Sequence, residues 1–184
     1  LYLNNGSGKF SKAEKNLPST YKNISVIAPH DFDGDGDMDV FVGSRSVVGT
    51  YGVDPDHLFL ENEGDGNFTD ATERLAYDIN KAGMVTHAIW TDIAGESKKD
   101  LVTTSGWGSP AVFRNNGRRL ARMNSDLDSL HGWWHVVEAA DLDGDGDQDL
   151  VLGNQGKNIH YRPGPENPMK MWINDFDDNG TIEQ

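Results

Sequence analysis

Two nine-residue segments of this 184-residue chain place five aspartates on alternate positions: DFDGDGDMD at 31–39 and DLDGDGDQD at 141–149. A third segment, DFDDNGTIE at 175–183, has four acidic residues. Carboxylates at this density repel one another, so a stable fold requires something that compensates them. These segments hold 14 of the 30 acidic residues and none of the 16 basic ones, so the rest of the chain is electrically balanced. The pattern predicts local cation sites and argues against a nucleic acid partner, which requires a basic surface.

The acidic segments lie between short apolar strands, as in ISVIAPHDFDGDGDMDVFVGS and HVVEAADLDGDGDQDLVLGN. An altered copy, HAIWTDIAGESKKDLVTTSG, has aspartate at both ends of segment 92–100 but has lost most of the acidic residues between them. We call the segments 31–39, 92–100, 141–149 and 175–183 loops L1, L2, L3 and L4.

A second unit recurs between the loops and consists of a strand, an Asn/Gly turn and another strand. Its copies are LYLNNGSGKF, LFLENEGDGNF and AVFRNNGRRL, which are typical of β-hairpins. Together the two units predict an all-β fold built from four-stranded antiparallel blades of an incomplete β-propeller over 1–184. The predicted repeats cover about 1–56, 57–110, 111–157 and, incompletely, 158–184.

The spacing within the loops suits a metal ion. In the pattern D-x-D-x-D-G-x-x-D, the side chains at positions 1, 3, 5 and 9 and the carbonyl at position 7 can converge on one point. Hard oxygen ligands in that number select Ca²⁺. Glycine at position 6 of L1, L3 and L4 allows the positive φ that turns the chain around the ion. The apolar residue at position 2, which is Phe32, Leu142 or Phe176, is expected to point into the core.

Two other interpretations of the acidic loops remain. An EF-hand or dockerin-type loop requires an acidic ligand at position 12, where L1 has Val42 and L3 has Leu152. A solvated acidic turn without metal is the second alternative, and it has more weight for L4, where Asn179 and Glu183 replace aspartates. For L2 we expect no metal, because lysines at positions 7 and 8 supply positive charge.

The chain resembles the FG-GAP/VCBS repeats of integrin-α-like β-propellers, especially those of the bacterial ASPIC/UnbV-associated kind. The resemblance rests on the acidic loops and on the segments LFLENEGDGNFTDAT and GWWHVVEAADLDGDGDQDLVLGNQG. The resemblance covers nearly the whole chain. It implies four-stranded blades, Ca²⁺ held in loops between blade strands, and an extracellular, cell-surface or periplasmic protein. The Ca²⁺ ligands that it implies are Asp31, Asp33, Asp35, Asp39 and the carbonyl of Asp37 in L1; Asp141, Asp143, Asp145, Asp149 and the carbonyl of Asp147 in L3; and Asp175, Asp177, Asn179, Glu183 and the carbonyl of Thr181 in L4.

We expect no catalytic residues. The chain has no cysteine, no G-x-S-x-G elbow and no P-loop, and its one H-x-x-x-H pair, His131 and His135, lies at the start of a predicted strand and not in a helix. The expected function is a binding or adhesion module for a glycan or protein ligand, because propellers place recognition loops on one face. The alternative is part of a calcium-dependent polysaccharide lyase or another carbohydrate-active enzyme.

Aromatic and guanidinium groups in the long connecting segments are the candidate ligand contacts. They are Arg45, Tyr51, Trp107, Tyr161 and Arg162. The other tryptophans, Trp90, Trp133, Trp134 and Trp172, are expected in the core.

The number of repeats predicts an open structure. No run of 18 apolar residues suggests a membrane span. Roughly three and a half repeats fall short of the four to eight blades of known propellers. We therefore expect unpaired blade edges, which a further part of the parent propeller completes or which two copies of the chain use to associate.

Overall fold

The computed structural model describes residues 1–14, 16–156, 160–164 and 166–184. Within these residues the chain is almost entirely β-structure. Its strands are β1 (Tyr2–Asn4), β2 (Phe10–Lys12), β3 (Asn23–His30), β4 (Asp39–Ser46), β5 (Leu58–Asn62), β6 (Phe68–Asp70), β7 (Val85–Thr91), β8 (Asp100–Ser105), β9 (Ala111–Asn115), β10 (Leu120–Met123), β11 (Trp134–Ala140) and β12 (Asp149–Asn154). One short helix, α1 (Thr72–Leu75), and two 3₁₀ helices over Tyr77–Lys81 and Asp126–Ser129 lie in the connections.

The strands form four antiparallel sheets. Two sheets have four strands, in the order β3-β4-β5-β6 and β7-β8-β9-β10, and we call them blade 1 and blade 2. Two further sheets have two strands each, β1-β2 and β11-β12. The prediction of an all-β fold with four-stranded antiparallel blades is therefore confirmed. The sheets of the described residues do not close into a ring, and the predicted repeat boundaries remain a prediction.

The main hydrophobic core lies between the two blades. Phe41 of β4 and Phe59 of β5 are direct cross-strand neighbours, as are Leu101 of β8 and Phe113 of β9. All four side chains are fully buried and belong to one contiguous cluster. Because burial of each such side chain stabilises a fold by about 1.5–3 kcal/mol, this cluster holds the blades together.

The first strands of successive sheets pack side by side. β7 contacts β3 on one side and β11 on the other. The hydroxyl of Ser25 in β3 donates to the carbonyl oxygen of Val85 in β7 at 2.6 Å. The hydroxyl of Thr86 in β7 donates to the carbonyl oxygen of Trp134 in β11 at 2.8 Å. Blade 2 therefore lies between blade 1 and the β11-β12 sheet, as neighbouring blades do in a propeller.

The position-2 residues of the loops differ in burial. Phe32 of L1 is buried as predicted, with its ring 5.1 Å from that of Phe59. Leu142 of L3 and Phe176 of L4 are 65% and 59% exposed, so the prediction that they point into the core is wrong for these described residues. The physical reason for Leu142 is that β12 has no third strand beside it in the described part of the chain, whereas L1 is covered by β5.

The tryptophans also differ in burial. Trp90 is half-buried against the core and donates its indole N–H to the carbonyl oxygen of Ala28 at 3.1 Å. Trp133 and Trp134 are half-buried. Trp172 is 68% exposed, so its assignment to the core is wrong. None of the helices in the described residues has the length and apolar character needed to cross a membrane.

Candidate metal centres and an aromatic cleft

The acidic loops occupy equivalent places in successive sheets. L1 connects β3 to β4, L2 connects β7 to β8, and L3 connects β11 to β12. Each therefore joins the first and second strands of its sheet, so the three loops lie at the same end of their blades. L4 lies outside the sheets and is closed by an isolated antiparallel bridge between Asn174 and Glu183.

Three of the four loops bring carboxylates together. In each group, one oxygen of every member lies within 4.8 Å of one oxygen of the others. The groups are Asp31, Asp33 and Asp35 in L1; Asp141, Asp143 and Asp149 in L3; and Asp175, Asp177 and Glu183 in L4. Three carboxylates at this separation form an oxygen donor set that fits a hard divalent cation such as Ca²⁺.

The loops share one turn, which the aspartate at position 1 stabilises. One carboxylate oxygen of this residue accepts a hydrogen bond from the backbone N–H at position 6 in every loop. The pairs are Gly36 with Asp31 at 3.1 Å, Ser97 with Asp92 at 2.8 Å, Gly146 with Asp141 at 3.1 Å, and Gly180 with Asp175 at 2.7 Å. Position 6 has φ of +98° in L1 and L3, +85° in L4 and +63° in L2. The predicted need for a positive φ is therefore met, by serine in L2 and by glycine elsewhere.

The acidic residue at position 9 has a structural role that the sequence interpretation missed. In L1, Oδ2 of Asp39 accepts from the backbone N–H of Phe32 at 3.1 Å, and Oδ1 accepts from the backbone N–H of Asn62 at 2.9 Å. Burial raises the pKa of the Asp39 carboxyl, and the two backbone hydrogen bonds oppose that shift. Asp39 thus links the loop to β5, and it lies outside the L1 carboxylate group.

Within the part of the chain that the structure describes, the acidic residues at position 9 of L3 and L4 make only the local hydrogen bond, to the backbone N–H at position 2. Oδ2 of Asp149 accepts from the backbone N–H of Leu142 at 2.9 Å, and Oε2 of Glu183 accepts from that of Phe176 at 2.9 Å. The latter hydrogen bond, together with one from the hydroxyl of Thr181, lowers the pKa of Glu183.

The remaining predicted ligands lie at positions 5 and 7. Asp35, Asp145 and Asn179 each accept a hydrogen bond at Oδ1 from the backbone N–H two residues later, which belongs to Asp37, Asp147 and Thr181 respectively. This hydrogen bond folds the middle of each loop in the same way. Of the three position-5 residues, only Asp35 belongs to a carboxylate group. The assignment of the position-7 carbonyls as ligands stays a prediction.

L2 retains the turn with different chemistry. Alanine at position 3 removes one carboxylate, and Glu96 at position 5 forms an ion pair with Arg114 of β9. Lys98 at position 7 lies against the β9-β10 turn, with its Nζ beside Gly117. Basic side chains therefore accompany the remaining acidic residues of L2, whereas L1, L3 and L4 contain no basic residue.

An aromatic cleft lies at the opposite ends of the strands. The indole N–H of Trp107, in the β8-β9 connection, donates to the hydroxyl of Tyr51 in the β4-β5 connection at 3.0 Å. The ring of Trp107 meets that of Trp133 edge to face, with centroids 5.3 Å apart and planes at 68°. The cleft has a volume of about 640 Å³, and its lining includes Trp107, His131, Trp133, Asn154, Pro168 and Met169.

The structure brings two of the five candidate ligand residues together, Tyr51 and Trp107. Arg45 is exposed on β4. Tyr161 is exposed and lies edge-on to His160 at 5.6 Å, and Arg162 is exposed beside it. Trp133, which was predicted in the core, is half-buried and lines the cleft, and no local sequence pattern indicated this.

Antiparallel blades with an acidic loop between their first and second strands define a β-propeller-like repeat protein. The family model of the FG-GAP-like repeat matches residues 1–42 and 92–152, which is more than half of the chain. The chain therefore belongs to the FG-GAP-like repeat family. A search of curated proteins finds no significant match.

Proposed function

We propose that this protein is a calcium-stabilised, propeller-like binding module that works outside the cytosol. The observation that carries the proposal is the set of three carboxylate groups within 4.8 Å in L1, L3 and L4. L2 differs from the other loops in a way that supports this proposal. It has no carboxylate at position 3, and it contains two lysines and an ion pair between Glu96 and Arg114. Basic side chains in place of carboxylates are expected in L2 if a bound cation compensates the negative charge in the other three loops.

The role proposed for Ca²⁺ is structural. An ion that binds only the folded loop stabilises the fold by RT ln(1 + [Ca²⁺]/Kd), or about 1.4 kcal/mol at ten times Kd. Three ions add six positive charges to a chain whose formal net charge is −14. Loading therefore also reduces repulsion between loops that lie at the same end of neighbouring blades.

The proposed location follows from the expected affinity. Extracellular calcium modules have Kd values of about 10⁻⁴–10⁻³ M, which suits an environment with millimolar Ca²⁺. The loop carboxylates are mostly exposed to solvent, which favours weak and reversible sites. We therefore place the module in the extracellular space, at the cell surface or in the periplasm.

The proposed ligand site is the aromatic cleft, and the proposed ligand is a glycan. Tryptophan rings offer apolar faces to sugar rings, while Asn154 and His131 offer polar groups for hydroxyls. The seven residues of β11 separate the cleft from L3 by about 20 Å at 3.3 Å per residue. Calcium in L3 would therefore support the fold without contacting the ligand.

We propose a non-catalytic role for the same site. The described residues that line the cleft include one titratable side chain, His131, and no carboxylate. A polysaccharide lyase, the enzymatic alternative, requires both a base and groups that neutralise the uronate carboxylate. Release of unsaturated uronates from an acidic polysaccharide would contradict the non-catalytic role.

A glycan array with the intact chain in millimolar Ca²⁺ tests the ligand site. Trp107→Ala and Trp133→Ala should each weaken binding to the selected glycans at least about tenfold, because each removes an aromatic surface. Trp172→Ala is the matched control, since Trp172 is 68% exposed and does not line the cleft. Unchanged binding in both cleft variants, or capture of a protein alone in a parallel pull-down, would contradict the glycan site.

A further inference from the structure

Within the described residues the two small sheets have two strands each, and they correspond to different halves of a four-stranded blade. The β11-β12 sheet corresponds to the first and second strands of a blade, because L3 joins its strands as L1 and L2 join theirs. The β1-β2 hairpin corresponds to the third and fourth strands. Oδ1 of Asn4 accepts from the backbone N–H two residues later at 3.1 Å, as Asn62 does at the β5-β6 turn and Asn115 at the β9-β10 turn.

Complete blades show how such halves join. In blade 1, β4 and β5 pair with Val40 opposite Leu60 and Phe41 opposite Phe59. The position-9 aspartate reinforces the pairing, because its Oδ1 accepts from the backbone N–H of the asparagine that ends the third strand. In the β11-β12 sheet, no described residue pairs with the outer edge of β12 or donates to Oδ1 of Asp149.

The hairpin and the β11-β12 sheet both expose apolar residues, and the segments that contain them have opposite charges. Tyr2 and Phe10 of the hairpin are 66% and 63% exposed, and Val151 of β12 is 54% exposed. Residues 1–12 contain two lysines and no acidic residue, whereas L3 contains five aspartates and no basic residue. Association would therefore bury apolar surface and bring opposite charges together.

The hairpin does not pair with β12 of its own chain, and the segment that follows it is anchored on blade 1. Asn16, four residues after the end of β2, is fixed to the β5-β6 turn of blade 1 by two hydrogen bonds of 2.9 Å, one with Gly66 and one with Phe68. Four extended residues span at most about 14 Å. Blade 2 lies between this anchor and the β11-β12 sheet.

We propose that β12 is a docking edge for the β1-β2 hairpin of a second copy of this chain, which completes a four-stranded blade. The register of the complete blades places Tyr2 opposite Leu150 and the backbone N–H of Asn4 against Oδ1 of Asp149. Asp149 then takes the role of Asp39 in blade 1. Because the two surfaces differ and lie on opposite sides of one chain, the contact is head-to-tail and each copy can bind two neighbours.

Analytical ultracentrifugation of the intact chain tests this inference. The average mass should rise with concentration above that of one chain. Tyr2→Glu, which places a charge on the hairpin, and Val151→Glu, which places one on β12, should each restore the mass of a single chain. An equimolar mixture of these two variants should form a complex of two chains, because each still has one intact surface. Tyr77→Glu and Val48→Glu, at exposed sites outside both sheets, are the matched controls and should behave as the unaltered chain does.

Three outcomes would overturn the inference. An average mass of one chain at every concentration of the unaltered protein would by itself show that the edges do not associate. Loss of association in Val151→Glu but not in Tyr2→Glu would show that β12 pairs with β12 of another copy. A mixture of the two variants that remains at the mass of one chain would exclude a head-to-tail contact.

Discussion

Oδ1 of Asp100 accepts a hydrogen bond of 2.9 Å from the backbone N–H of Asn115, which lies 15 residues further along the chain. Oδ2 of the same carboxylate accepts from the backbone N–H groups of Ile93 and Ala94. Asp100 is 1% exposed; the bond with Asn115 is buried, and those with Ile93 and Ala94 are partly buried. One buried side chain thus links L2, β8 and β9.

This link predicts a large loss of stability in Asp100→Ala. One buried and two partly buried backbone donors would lose their acceptor, which should lower the free energy of unfolding by about 2–4 kcal/mol. Asp126→Ala, at an exposed position, should change it by less than about 0.5 kcal/mol. Urea denaturation checks both variants. A loss below about 1 kcal/mol in Asp100→Ala would show that the link contributes little.

Two substitutions at position 6 of the loops should have opposite effects on the stability of the fold. Ser97 has a φ of +63°, which costs a residue with a side chain about 1–2 kcal/mol, so Ser97→Gly should stabilise the fold by about 0.5–1 kcal/mol. Gly36→Ala should destabilise it by about 1 kcal/mol through backbone strain. A Cβ atom at Gly36 would meet no other atom within 4 Å, so steric overlap does not contribute. Thermal denaturation that gives the same sign for both changes would contradict the strain argument.

A buried histidine predicts acid sensitivity. His57 is 1% exposed, its Nδ1 accepts from the backbone N–H of Ser44 at 3.0 Å, and burial lowers its pKa to about 4 from an ordinary value of 6.5. Its contribution to stability is complete above pH 6.5 and is lost as pH falls towards 4, because the unfolded chain binds the proton first. The loss should reach about 2–3 kcal/mol near pH 4.5.

His57→Asn isolates this effect, because an amide can accept the same hydrogen bond but does not titrate. Its free energy of unfolding should fall less steeply between pH 7 and pH 4.5 than that of the unaltered chain. Equal slopes in the variant and the unaltered chain would contradict the assignment of His57.

Much of the fold could be predicted because its signals are local. The alternation of aspartate and glycine in L1 and the Asn/Gly turns of the hairpins depend on hydrogen bonds between residues two to five positions apart. Such patterns are visible in a short stretch of sequence. The four-stranded blades followed from their repetition.

The parts that could not be predicted depend on contacts between distant residues. Asp39 links L1 to Asn62, 23 residues away, and Trp107 binds Tyr51 across 56 residues. Leu142 and Phe32 occupy the same loop position but differ in burial, because a neighbouring strand covers only Phe32. No local pattern distinguishes these cases.

The calcium sites predict a loss of bound ions in single-charge variants. Asp33→Asn and Asp143→Asn each remove one carboxylate from a group while retaining the side-chain oxygen that accepts the backbone N–H two residues later. Each should therefore remove one calcium site without unfolding its loop. Asp126→Asn is the control for the change in charge and should leave the number of sites unaltered.

Calorimetric titration of the metal-free chain with Ca²⁺ tests the central claim most directly. It should give three sites in the unaltered chain, two in Asp33→Asn and two in Asp143→Asn. Saturation should raise the melting temperature by about 3–6 °C per site at ten times Kd. Mg²⁺ should substitute poorly, because it gives up its waters reluctantly. The absence of heat of binding, with the same melting curve in excess EGTA and in millimolar Ca²⁺, would contradict the account.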